Sequence, residues 1–195
     1  MKRARKGEMG MGTLIIFIAM ILVAAVAASV LISTTGALQN KALATGRATT
    51  SEVGTSIHVM EVYAEDGSNQ QVDYLYESVK LSAGSGAIRF SDTLMSLNLN
   101  DQTADYEYNS SVDCTNTSTT TAGGDFGVEY LINGSNNQAG YLVKGDVARV
   151  CIQSPRTITE GEEIKLSLIP MVGHAVVTET STPDLMIDTR ITVFP

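Results

Sequence analysis

From Leu14 to Ile32 the chain runs through nineteen residues with one polar interruption, Ser29. A helix of that length rises about 28 Å, the thickness of a bilayer's hydrocarbon core. It would be apolar on every side, and such a helix needs lipid or other protein around it. In front of it stands a basic handle, since Lys2, Arg3, Arg5 and Lys6 fall within the first six residues. Basic flanks stay on the cytoplasmic side of a membrane, which puts the remainder of the chain outside.

Three fates fit such a rod. A secretory signal peptide has a shorter apolar region followed by a small-residue cut, and "AAVAAS" mimics one, but the apolar run continues past it. A plain membrane anchor is the second. The third is a precursor cut in front of the rod, so that the rod stays on the mature protein. The residues favour the third, because an anchor has no need of "GEMGMG" between its charges and its span. Gly7, Gly10 and Gly12 disfavour helix and imply an extended segment that a protease can thread. The rod is also rich in small residues, Ala19, Ala24, Ala25, Ala27, Ala28 and Ser29, which let helices approach closely.

Beyond Ile32 a sparser stripe continues through Leu38, Ala42, Thr45, Thr49, Val53 and Ile57. Its spacings of three and four mark one face of a helix. The expectation is one long helix from about residue 10 to about residue 55.

The remainder is acidic. Without residues 1–7, nine basic residues face 21 acidic ones, a net charge of −12. That argues against nucleic acid as a partner, because phosphate binding needs a positive surface. Two cysteines, Cys114 and Cys151, cannot build a zinc cage alone. They form either a disulfide, which fits an extracytoplasmic site, or two small buried thiols. The polar surroundings of Cys114 give a free thiol little shelter and favour the disulfide.

After Ser56 the apolar period changes to two. Ile57, Val59 and Tyr63 are expected on one face, with Glu61 breaking the pattern. Val72, Tyr74 and Tyr76 alternate, as do Phe126, Val128, Tyr130 and Ile132. So do Ile164, Leu166 and Leu168, and at the end Leu185, Ile187, Ile191 and Val193. Turn signals separate these runs: "EDGSN", "SAGSG", "TAGGD", "INGSNN", "VKGD" and "TEGEE". Many short strands with frequent turns indicate a β-sandwich or small barrel.

The polar stretch 109–125 reads as an exposed loop. It holds two glycosylation tripeptides, at Asn109 and Asn116, and a third lies at Asn133. Enzyme motifs are missing: there is no GxSxG, HExxH or glycine loop followed by lysine, and the histidines are His58 and His174 alone. The acids Asp92, Asp101 and Asp105, or Glu160, Glu162 and Glu163, could hold Ca²⁺ or Mg²⁺, but solvated surface carboxylates are the simpler reading.

The segment "GMGTLIIFIAMILVAAVAASVLI" with "STTGALQNKA" resembles the N-terminus of archaeal flagellins, the archaellins. The likeness is dense from Gly10 to about Ala42, and the closing "LIPMVGHAVVTETSTPDLMIDTRITVFP" resembles their C-terminus. The resemblance implies a leader, residues 1–7, removed by a prepilin-peptidase-like enzyme. Arg5 and Lys6 would flank a cut between Gly7 and Glu8, with Gly10 on the family's glycine. It implies a filament-core helix over 8–56, with Leu14, Phe17, Met20, Ala24, Ala27 and Leu31 among its packing positions. It implies an immunoglobulin-like β-sandwich over 57–195, hence an α+β chain overall. The function implied is that of a non-enzymatic subunit of the archaellum. It would wait in the cytoplasmic membrane and then polymerise with itself or other archaellins on the cell surface. It needs no cofactor, a structural Ca²⁺ or Mg²⁺ being left open. Rival readings are a type IV adhesion pilin and a membrane-anchored extracellular binding module. Gly12 stands where bacterial pilins carry a glutamate, which counts against the first. The second lacks a lipobox cysteine.

Overall fold

The structure, a computed structural model, describes residues 4–67, 70–116 and 120–195, with side chains of the first helix from residue 10 onward. The chain divides into two compact units, Met1–Thr49 and Thr50–Pro195.

A single helix, α1 (Ala4–Gly54), fills the first unit and runs into the second. It passes through Gly7, Gly10 and Gly12 without a break, so the extended glycine segment expected there is helical. Each isolated glycine costs a helix only about 1 kcal/mol relative to alanine. The strong helix formers around these glycines outweigh that cost. Three threonine hydroxyls of α1 bond back to the helix itself. Thr13 donates to the Gly10 carbonyl at 2.9 Å, Thr34 to that of Val30 at 2.9 Å and Thr49 to that of Thr45 at 3.0 Å. The helix therefore carries these hydroxyls with no unmet donor, as an apolar environment requires.

The second unit is a sandwich. Its strands are β1 (Ile57–Glu65), β2 (Val72–Leu81), β3 (Ile88–Arg89), β4 (Thr93–Leu99), β5 (Thr103–Tyr108), β6 (Asp125–Ile132), β7 (Tyr141–Leu142), β8 (Val147–Ile158), β9 (Glu163–Pro170), β10 (Val176–Ser181) and β11 (Arg190–Phe194). Nine of them run in the order β10-β9-β4-β5-β6-β8-β2-β1-β11, and β3 pairs with β7 apart. Every pairing in the nine is antiparallel except β5 with β6, a short parallel join of Glu107 to Asp125 and Tyr108 to Phe126. That join divides the sheet into a four-stranded and a five-stranded half sharing one core. Val62, Leu75, Val79, Val150 and Ile152 come from the larger half, and Leu97, Tyr106, Leu166 and Leu168 from the smaller.

Alternation held where pairing is continuous and failed at bulges. In β9, Ile164, Leu166 and Leu168 are buried as expected. In β1 a bulge between Val59 and Glu61 shifts the parity. Ile57 and Val59 face the core, but so do Val62 and Ala64, and Tyr63 packs on the opposite face of the sheet. In β6 a bulge between Tyr130 and Ile132 leaves Ile132 exposed. The expected run Leu185–Ile187 is inverted. Met186 is buried and its two neighbours are exposed, because the chain after Pro183 does not join a strand until Arg190. An extra residue or a non-strand segment reverses every face that follows it.

Candidate assembly surface

The main candidate surface is the helix itself. Thirteen large apolar side chains lie between Leu14 and Ile32, and all are at least half exposed within the subunit. Leu14, Phe17, Met20 and Leu31 are among them, and Ala24 and Ala27 are exposed as well. Fully burying a residue of this kind gains about 1.5–3 kcal/mol. The rod therefore holds roughly 20–40 kcal/mol of gross burial energy that its own subunit does not use, before ordering costs. Charge is scarce along it: between Gly10 and Gly54 there are only Lys41, Arg47 and Glu52. The backbone at Arg5, Lys6, Gly7 and Glu8 is helical, and the side chains at these positions lie outside the described residues.

Thr55 and Ser56, which follow α1, are tied into the second unit. Thr55 is buried, its carbonyl accepts the His174 N–H at 3.1 Å, and its hydroxyl accepts the Gly86 N–H at 3.2 Å. Ser85 Oγ accepts the Ser56 N–H and donates to the Ser56 carbonyl, both at 3.0 Å. Gly173, at φ +109°, lies so close that a Cβ there would sit 2.5 Å from the Thr55 carbonyl oxygen. Sequence periodicity missed this knot, because small polar residues after a helix look like linker. The single hint is Thr55 standing directly behind Gly54, a common helix stop.

On the outward face of the larger half, Cys114 and Cys151 are joined in a disulfide. It fastens the loop after β5 over a second, smaller apolar cluster of Tyr63, Tyr76, Val112 and the two cysteines. Register puts Tyr63, Tyr76, Cys151 and Gly127 in one row across β1, β2, β8 and β6. The two tyrosine rings stack with centroids 5.0 Å apart. The Arg190 guanidinium sits 3.7 Å from the Tyr63 centroid and its Nη2 bonds Glu61 at 2.8 Å. Burial raises the phenols of both tyrosines, that of Tyr76 to about 12, so both stay neutral. Gly127 lets the loop descend this far: a Cβ there would lie 2.6 Å from Val112 Cγ1 and 2.9 Å from Cys151 Sγ.

The three glycosylation tripeptides differ in their surroundings. Asn109 is partly buried, its Nδ2 donating to Asp125 at 3.2 Å and its Oδ1 accepting from the Ser111 N–H at 2.9 Å. Asn116 is exposed, and Thr117 and Ser118 of its tripeptide lie outside the described residues. Asn133 is exposed, in a loop stapled from beneath by buried Asp146. Asp146 accepts the Gly134 N–H at 2.6 Å, the Val143 N–H at 3.2 Å and the Asn137 side-chain amide at 3.2 Å.

The acidic groups considered as cation ligands are placed differently. Asp101 and Glu162, distant in sequence, converge on Arg156. Its hydrogen bonds hold both carboxyls below the ordinary range. Asp92 pairs with Arg89 at 3.5 Å, and Glu160 accepts the Met186 N–H at 3.4 Å. Among the described residues no three histidine, cysteine or acidic side chains are grouped as a metal site. His58 and His174 are both exposed.

The family model for archaeal-type flagellins matches residues 7–180. Flagellin B2 of Methanocaldococcus jannaschii is 36% identical, over 96% of this chain and 94% of its own length. Flagellin B4 of Pyrococcus abyssi is 35% identical, over 92% and 94%. Among solved structures, the archaeal flagellum of Methanospirillum hungatei superposes with a TM-score of 0.69 at 17% identity, over 95% of this chain and 99% of that one. The crystal structure of an archaeal flagellin from Methanocaldococcus jannaschii gives 0.64 at 18% identity, over 72% and 97%. At such identities these two likenesses speak for the fold: a long N-terminal helix followed by a sheet-rich domain.

Proposed function

The chain belongs to the archaeal-type flagellin family, and from that premise we propose that it is a structural subunit of an archaellum filament on the cell surface. The observation that carries this reading is the exposed apolar surface along α1. Neighbouring copies, or related flagellins, bury its side chains, and heterologous contacts that do not close into a ring extend into a filament. The glycines of α1 agree with that role. A Cβ built at Gly10, Gly12, Gly36 or Gly46 meets nothing within 4 Å in the subunit, so any steric need for glycine arises from a neighbour.

Before assembly the rod resides in the cytoplasmic membrane, which satisfies the same apolar surface. A prepilin-peptidase-like enzyme removes residues 1–7 there. The support is the charge pattern of Arg5 and Lys6 before Gly7, which the family's leader shares. The acidic second unit meets the medium, and the exposed, stapled Asn133 is its best-presented glycan acceptor.

Deleting the gene tests the reading. Cells should lose swimming and keep surface attachment; retained swimming with lost attachment would make the protein an adhesion pilin. Mass spectrometry of sheared surface filaments should find the subunit beginning at Glu8 and carrying added mass on the peptide containing Asn133. A subunit beginning beyond Ile32 overturns rod retention.

A further inference from the structure

Glu77 lies near the middle of β2, an interior strand with β1 on one side and β8 on the other. Its register partners are Val62 and Val150, both fully buried, and its inward neighbours along the strand are Leu75 and Val79. The residue is 2% exposed, and its Oε2 has no hydrogen-bond partner among the described residues. The charged groups nearest in register, Glu61, Glu65 and Arg149, alternate to the opposite face of the sheet, where Arg149 lies over Tyr63 and Tyr76. Across the core the smaller half presents Met95, Leu97, Tyr106, Leu166 and Leu168. Only Tyr106 titrates among these; its hydroxyl donates to the Gln153 carbonyl at 2.7 Å, and burial raises its phenol, keeping it neutral. Among the described residues no cation faces the carboxyl, and an interior strand cannot fray to let it reach water.

We propose that Glu77 is a proton-linked latch: the second unit is packed around its neutral carboxylic acid, and ionisation in alkaline medium loosens the β1-β2-β8 sheet. A buried carboxylate without a partner is costly, so the fold and the proton are held together. The direction of the titration agrees, since burial alone raises this acid to about 7. The folded state binds the proton more tightly than the unfolded chain does. Stability is therefore full below the ordinary glutamate range, near pH 4.5, and is lost as the pH rises through about 7. The inference concerns the second unit alone and stands whether or not the chain assembles as proposed above.

The test uses the full-length protein, as isolated filaments or in detergent. Its melting temperature is followed by near-ultraviolet circular dichroism from pH 5 to pH 9, beside Glu77→Gln. The wild type should lose roughly 5–10 °C across this range beyond any change shared with Glu77→Gln, which should melt higher at pH 8. Parallel profiles would overturn the proposal. Should Glu77→Gln fail to fold, the infrared spectrum of the wild type decides. A protonated carboxylic C=O band should be present at pH 6 and gone by pH 9. Its absence at pH 6 would show that Glu77 is already ionised there, and the proposal fails.

Discussion

Leu31 in α1 and Leu97 in β4 carry the same side chain, yet the first is 65% exposed and the second fully buried. Each represents its region. The rod buries none of its large apolar residues within the subunit, whereas the body gathers many of its own into a shared core. The body is thus specified by partners in the same chain. The rod's residues acquire packing partners only outside it. A substitution in the body should act on folding of one subunit, and a substitution in the rod on association of many. The two regions can be separated experimentally on that basis.

The largest effect should come from the rod. Ala27 is exposed in the subunit, so a phenyl ring there disturbs nothing internal. Lipid accommodates it too, being about as apolar as leucine. Between packed helices the ring overfills a dense interior, at typically 1–3 kcal/mol per site, and a filament repeats the cost in every subunit. Ala27→Phe should be expressed, cut and held in the membrane normally, with few or no filaments by electron microscopy of sheared surface material. Its body should melt as the wild type does. Abundant normal filaments would remove Ala27 from the packed core.

Next comes the body's staple. Cys114 and Cys151 are 37 residues apart, and closing such a loop is worth roughly 3–4 kcal/mol by chain entropy. Replacing both by serine should lower the melting temperature of the body expressed from Thr50 onward. That starting point keeps the anchors of Thr55 and Ser56, which a start at residue 57 would delete. An unchanged melting temperature would mean that the loop is held without its disulfide.

Gly127→Ala should cost less, about 1–3 kcal/mol. The added Cβ meets the Val112 carbonyl oxygen at 2.8 Å as well as the disulfide sulfur, and neither yields easily. In the double-serine background the loop is free to lift, so the same substitution should cost less there. A double-mutant cycle measures the difference, and strict additivity would uncouple Gly127 from the tethered loop.

How much of this was legible depended on which interactions repeat. The rod was readable from Leu14 to Ile32 because nineteen consecutive choices agree. The strand β9 was readable because Ile164, Leu166 and Leu168 keep one parity throughout. Tyr63 was assigned to the wrong face because the bulge after Val59 leaves no mark on composition. Asp101, Glu162 and Arg156 meet across 55 and six residues, and no local window contains all three. Nothing in the sequence marks Glu77 as buried, since alternation cannot reveal that both faces of β2 are covered. Gly7, Gly10 and Gly12 imply an extended segment by propensity, but they are helical because propensity is a weak prior beside their neighbours.

The smallest effect should come from the ion group at Arg156, which sharpens the contrast between charge and burial within the body. Glu162 is largely covered, while Asp101 is mostly exposed and Arg156 about a third exposed. Solvent screening leaves such exposed ion groups only a small contribution to stability. Arg156→Gln should therefore lower the body's melting temperature by no more than a few degrees, and less still in high salt. Its pH dependence should run opposite to that of Glu77. Hydrogen bonding to Arg156 holds the Glu162 carboxyl below its usual range, so its contribution is present above about pH 4.5 and is lost as the pH falls through the depressed folded value. The deficit of Arg156→Gln relative to wild type should be visible at pH 7 and shrink toward zero in acid. A deficit that persists undiminished at pH 3 would mean that Arg156 supports the turn before β9 through packing of its stem and its bond to the Thr157 carbonyl, with the two carboxylates incidental.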